Sequence, residues 1–248
     1  MKETIIALAA CGAVLAPAVP AHAAPAEDPL RALKSKLVAG HGVRFTETTV
    51  LSGDGKITLQ KRKGAFQFDK KGIAASDITA TSKSRPRERV IGVGTYTYTS
   101  GGIYAGKLAS GATWYKSRGL PGGGAGFHGQ VINPAEPKTL AALVKKGRLS
   151  GRTLTGKITF KDLAKVSRWF DASIPLRMHN DTKVSYTLTL SASGVVSRVK
   201  SSYAATGVFG TNAHEGKTIT IDSRFTGWGA KTRIKAPDPG KVTTEAAD

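Results

Sequence analysis

Apolar positions along the chain switch between two periods. Leu30, Leu33 and Leu37 recur at helical spacing behind Asp28-Pro29 and ahead of Gly40, which supply the cap, the first-turn proline and the left-handed exit of a short helix. From Val43 the period drops to two. Val43 to Leu51 alternates, Ser52-Gly53-Asp54-Gly55 turns, and Ile57 to Gln60 alternates back, which predicts a hairpin with Asp-Gly at its tip. Short runs of the same kind follow at Ala65–Phe68, Ile73–Thr81, Arg89–Gly92, Thr95–Thr99, Ile103–Leu108 and Ala112–Lys116. Turn residues separate them, as in an antiparallel meander.

The middle of the chain reads differently. A glycine-rich stretch from Gly119 to Gly129 leads to Asn133-Pro134-Ala135-Glu136, a cap with proline and a capping-box glutamate. Leu140, Leu143 and Val144 give the helix that follows an apolar face, and Gly147 closes it. A third helical pattern runs from about Lys161 to Phe170, with Leu163, Val166 and Phe170 on one side. Strands then resume. Val184, Tyr186, Leu188 and Leu190 alternate, turn at Ser193-Gly194 and pair with Val195–Tyr203. Lys217–Phe225 alternates again, Lys231–Lys235 reads as a last strand, and Pro237–Asp248 is polar and expected to be loose. The class is α+β: an antiparallel sheet with one wet face and about three short helices over the other.

The N-terminus carries two overlapping processing signals. Leu8-Ala9-Ala10-Cys11 has the residue types of a lipobox, in which Cys11 becomes an acylated first residue. Ala21-His22-Ala23 has the small-x-small form cut by a general signal peptidase, leaving Ala24 first. An apolar run of roughly 7–15 residues is expected before a cut. Ile5 to Ala10 is short of that, while Ile5 to Val19 is ample, so cleavage between Ala23 and Ala24 is the expectation. Lipidation at Cys11 is the alternative and would place the translation start upstream of Met1. The expected organisation is a signal peptide over 1–23, a linker over 24–27, one domain over 28–237 and a polar tail over 238–248. Both readings put the protein outside the cytoplasm.

Charge changes the picture of partners. The net charge is +20, with Lys and Arg spread along the whole chain. A solvated basic surface attracts polyanions, and outside a cell these are wall polymers, anionic glycolipids and the membrane surface. Aromatics are few and no nucleic-acid-binding motif occurs, which argues against nucleic acid. Without Cys11 the mature chain has no cysteine, so neither a disulfide framework nor a thiolate site is available.

Catalytic signatures are weak. Gly124-Ala125-Gly126-Phe127-His128-Gly129 matches G-x-G-x-x-G, but no strand precedes it, prolines delay the helix, and Leu149 stands where an acidic residue belongs. Ser197-Arg198-Val199-Lys200 matches S-x-x-K, yet it lies in a strand and lacks its partner motifs. His41, His128, His179 and His214 are isolated, and the carboxylates are scattered. No metal site, cofactor or catalytic residue is expected. Tyr96, Tyr98, Tyr104, Trp114 and Tyr115 cluster in the central strands, either as core and girdle aromatics or as the wall of an apolar cavity.

The stretch from Asp222 to Pro237, with Phe225-Thr226-Gly227-Trp228-Gly229 at its centre, is similar to the closing strand, Trp-Gly, strand and Pro of the LppX/LprG lipoproteins of actinobacteria. Trp114-Tyr115-Lys116 sits where that family has an aromatic strand before a glycine-rich connection. The resemblance spans about Asp28 to Val242. It implies a LolA-like half-barrel, a curved antiparallel sheet wrapped over helices with an apolar cavity between them. It also implies that the protein carries or presents lipids or lipoglycans at the envelope without catalysis. Predicted inward faces make Leu33, Leu37, Phe45, Tyr98, Tyr104, Trp114, Leu140, Leu143, Tyr186 and Leu188 the candidates for the cavity wall. The alternative is a basic scaffold with a filled core that binds envelope polyanions. A monomer is expected in either case.

Overall fold

Alternation carries most of the chain into a single sheet. The computed structural model describes residues 28–109, 111–119, 125, 129–174, 176–210 and 213–246. Cys11, Ala23 and Ala24 lie outside the described residues, as do Gly124, Gly126, Phe127 and His128. A first helix, α1 (Pro29–Lys36), starts as expected, with the Asp28 carboxylate accepting the Leu30 amide at 2.9 Å. There follow β1 (His41–Ser52), β2 (Lys56–Asp69), β3 (Gly72–Thr81), β4 (Glu88–Val93), β5 (Tyr96–Gly101) and β6 (Trp114–Arg118). The middle holds α2 (Pro137–Lys146), β7 (Arg148–Ser150), β8 (Thr153–Thr159), α3 (Phe160–Ala164) and α4 (Arg168–Ser173). The chain closes with β9 (Lys183–Leu190), β10 (Val196–Ala204), β11 (Thr218–Lys231) and β12 (Val242–Thr243).

Among the described residues these strands form one twelve-stranded sheet in the order β12-β6-β5-β4-β3-β2-β1-β11-β10-β9-β8-β7. Every pairing is antiparallel except β12 on β6. The sheet is curved, a half-barrel of the expected class, and the first strand pairs with both its neighbour β2 and the late strand β11. Helices α2 and α3 pack on β8, and the buried cluster under the helices draws on strands from β4 to β8 in the sheet order. Leu33, Leu37, Leu140, Leu143, Phe160, Leu163, Trp169 and Phe170 from the helices join Phe45, Phe66, Phe68, Tyr186, Leu188, Ile221 and Phe225 from the strands in one buried cluster. Each such side chain, fully buried, contributes about 1.5–3 kcal/mol of transfer free energy.

Several elements depart from the sequence reading, each for a local reason. Ile57–Gln60 and Ala65–Phe68 are halves of one strand, β2. Ile103–Leu108 is turn rather than strand, because Gly101 and Gly102 take φ of 74° and 58° and break the alternation. The Lys161–Phe170 helix is two helices. Ser167 interrupts it by accepting the Phe170 amide at 3.0 Å and capping α4. Asn133 makes its own turn with the Ala135 amide, so α2 starts later, after Glu136. The β7–β8 hairpin was not anticipated. Of the expected Lys231–Lys235 strand only Lys231 is strand, as the last residue of β11, and residues 232–235 are in no strand; Val242–Thr243, within the expected tail, pairs with Trp114 and Tyr115.

Candidate functional site: the sheet–helix seam and the outer trough

The seam between sheet and helices contains charge. Inward positions of β1 run Val43, Phe45, Glu47, and those of β2 run Arg62, Phe66, Phe68. The hairpin register sets Glu47 directly opposite Arg62. Arg62 Nε donates to Glu47 Oε1 at 2.8 Å and Nη2 donates to Oε2 at 3.1 Å, with both side chains essentially inaccessible. The remaining carboxylate lone pairs accept the Gln130 amide at 3.0 Å and Ser223 Oγ at 3.2 Å. Gln130 extends the network, since its Oε1 accepts from Ser201 Oγ at 2.6 Å and from the Ile132 amide at 3.2 Å. Its backbone carbonyl accepts from the Trp169 indole N–H. The guanidinium also lies 4.9 Å from the Trp169 ring centre. This hub joins four strands, β1, β2, β10 and β11, to the covering segment 129–133 and to α4.

Gly129 belongs to that hub. A Cβ there would stand 2.0 Å from Arg62 Cζ, and the ion pair leaves the guanidinium nowhere to move. The last glycine of the G-x-G-x-x-G string is thus required for close packing. Ser197 and Lys200 of the S-x-x-K match lie in β10, and Ser197 Oγ donates to the Thr189 carbonyl at 3.0 Å. Among the described residues no three His, Cys, Asp or Glu side chains are grouped as metal ligands.

The structure brings seven of the predicted cavity residues together: Leu33, Leu37, Phe45, Leu140, Leu143, Tyr186 and Leu188 are all in the buried cluster. Tyr186 also donates its hydroxyl to the Leu143 carbonyl at 2.7 Å, and burial pushes its pKa up to about 12. Tyr98, Tyr104 and Trp114 are not among these seven. They lie half-buried on the β5–β6 wing, outside that cluster, which on this side reaches only as far as Val90 of β4. Tyr104 instead stacks on Tyr115, with ring centres 4.2 Å apart. Inside the seam the cluster leaves a void of about 10 Å³, lined by Phe45, Phe66, Ile132, Trp169, Phe225 and polar atoms of Glu47, Gln130 and Asn133. A larger opening of about 220 Å³ enters at the rim, where Gln60 and Ala80 meet Pro86 and Phe209. Gln60 Nε2 is buried there, and Asn133 Nδ2 at the void, each without a hydrogen-bond partner among the described residues.

The opposite face of the sheet is cationic. Two adjoining hollows of about 540 and 690 Å³ share Thr46, Lys63, Thr79, Arg87 and Arg224 and form one trough. Both carboxylates that face it are already engaged. Asp77 holds Arg89 at 2.6 Å, and Asp222 holds Arg198, which keeps the Asp222 carboxyl below the usual range. The hub was legible as charges at inward positions of two adjacent strands, and the trough as cations at the outward ones; neither was read from the sequence.

No family model matches the chain, and no curated protein matches it in sequence. Among solved structures the chain is similar to the lipoprotein LppX of Mycobacterium tuberculosis, at 10% identity and a TM-score of 0.40 over 84% of this chain and 96% of that one. It is similar to a LolA superfamily protein of Nitrosomonas europaea at 9% identity and 0.35, over 85% and 94%. A DUF1329 family protein of Desulfovibrio piger follows at 10% and 0.31, over 80% and 92%.

Proposed function

We propose that the chain is a non-enzymatic protein of the cell envelope, exported with loss of residues 1–23, that takes up a lipid or other apolar ligand between sheet and helices for transport or presentation. The observation that carries this reading is the pair of hollows in one fold: a rim opening with an unpartnered buried amide, and, apart from it, an aromatic-lined void in a seam held by polar bonds. A seam kept only for stability gains nothing from a buried Glu–Arg pair, since apolar substitutes are often as stable or more so. The form described is closed. Its rim opening is smaller than the roughly 300–1,000 Å³ of small-molecule sites, so uptake requires segment 129–136 and α4 to move off the sheet. Organic extraction of the purified chain followed by mass spectrometry tests this: a bound lipid is the expected result. Absence of lipid, together with failure to bind a fluorescent fatty acid, would sink it.

A second reading is favoured by the small volume left inside. With the interior filled, the working surface is the basic outer face, and the partner is an anionic envelope polymer. Salt separates the two readings, because the screening length falls from about 10 Å at 0.1 M to about 3 Å at 1 M and apolar uptake persists where charge attraction fades.

A further inference from the structure

We infer that the outer trough is a binding site for one extended, phosphate-bearing polymer chain. This rests on the second reading above and gives it a location and a ligand chemistry.

The register of the sheet builds the site. Arg89 stands opposite Thr79, Thr79 opposite Lys63, Lys63 opposite Thr46, and Thr46 opposite Arg224. Long cations therefore alternate with threonines along a row that crosses β4, β3, β2, β1 and β11. Neighbouring strands are about 4.8 Å apart, so successive cations in the row recur at roughly 10 Å. The short threonines form the floor and the long cations the walls, which is why a sheet face is hollow here at all. Arg44, Lys61, Lys63, Arg87, Arg224 and Arg233 make no ion pair among the described residues. Arg224 stands directly opposite Arg198, a like-charge pairing that is unfavourable across strands and that one carboxylate, Asp222, offsets for both. Cations in excess of the two carboxylates that face them, Asp77 and Asp222, are accounted for by an anion that arrives from outside.

The shape selects among anions. A bilayer surface is flat and would meet only the rim, leaving Thr46 and Thr79 on the floor unused, whereas a single chain lies along it. Phosphate suits the lining, because its oxygens take bonds from guanidinium, ammonium and threonine hydroxyl groups together. Single-stranded nucleic acid needs aromatic platforms for its bases. Among the described residues Phe45 is the one aromatic that lines the trough, and it is buried on the inner side.

The test is titration of the purified full chain with inorganic polyphosphate, poly-γ-glutamate and phosphatidylglycerol vesicles. Saturable polyphosphate binding is expected, with affinity falling on the order of a thousandfold between 50 and 200 mM salt. The triple variant Arg44→Gln, Lys63→Gln, Arg224→Gln should lose at least about tenfold in affinity, and its log–log salt slope should shrink by about two. Lys138→Gln, Lys145→Gln, Lys161→Gln removes the same charge from exposed helix positions off the trough and should leave binding within about twofold. Equal losses in the two triples, tighter binding of poly-γ-glutamate, or vesicle binding without polyphosphate binding would each overturn the site. Amide shifts of wild-type protein under polyphosphate give a readout independent of variant folding: they must concentrate at residues 44–48, 61–63 and 224, and shifts confined elsewhere refute it. Lipid extraction of the first triple distinguishes this failure from that of the lipid reading, whose cargo it should leave unchanged.

Discussion

Removing one partner of the buried pair is the sharpest probe of how the cover is held. Glu47→Ala strips Arg62 of its two charge-assisted bonds and leaves the Gln130 amide and Ser223 Oγ without their acceptor. The guanidinium remains inaccessible, since Trp169, Gly129 and the Ala125 carbonyl at 3.4 Å enclose it. An uncompensated buried charge costs about 3–5 kcal/mol, a large share of the roughly 5–15 kcal/mol that holds a domain together. The urea midpoint, followed by Trp fluorescence and far-UV circular dichroism, should fall by at least about 1 M. The double variant Glu47→Leu, Arg62→Met removes both charges. It should recover most of the loss and settle about 1–3 kcal/mol below wild type, the cost of the orphaned Gln130 N–H and Ser223 hydroxyl. A single-variant loss below about 1 kcal/mol, or a double variant less stable than the single, would refute the view that this pair is fully desolvated and coupled.

Three further outcomes are expected. Gly129→Ala should destabilise by about 1–3 kcal/mol through overpacking against Arg62, measured by the same urea unfolding; a neutral effect would show that the guanidinium can shift. Burial raises the pKa of Glu136, despite bonds from Ser167, Thr139 and the Trp169 amide, so its stabilising contribution is full below the ordinary carboxylate range and is lost as pH climbs through the raised value. The melting temperature of Glu136→Gln should therefore gain on wild type as pH rises from about 4.5 to 7, and a constant difference would contradict the assignment. Finally, N-terminal sequencing of the exported protein should return Ala24, whereas a detergent-phase protein released by Cys11→Ala would establish the lipid anchor instead.

Much of this sheet was readable because one face is wet. In β9 and β11 each buried residue is flanked by exposed or half-buried ones, and period two survives into the sequence. It failed where backbone rather than side chains decides: the glycines at 101 and 102, the serine at 167, and β7, whose three residues are all exposed. The hub carried a signal that composition hides. Glu47 and Arg62 occupy the phase of Phe45 and Phe66, and an Asp-Gly hairpin fixes which of them face each other. Tyr98, Tyr104 and Trp114 could not be placed, because strand alternation gives a side chain's face but not how far the helices extend over the sheet.

The sheet's two rims have a consequence for behaviour in crowded surroundings. A flat sheet of twelve strands with long free edges would recruit strands from other copies and aggregate. Here β7 ends one side after three residues, with Arg148 and Ser150 in solvent, and β12 ends the other after two. Each outermost strand is shorter than a typical strand of about five residues. The sheet thus meets any neighbouring chain along short rims of three and two residues rather than along a full strand.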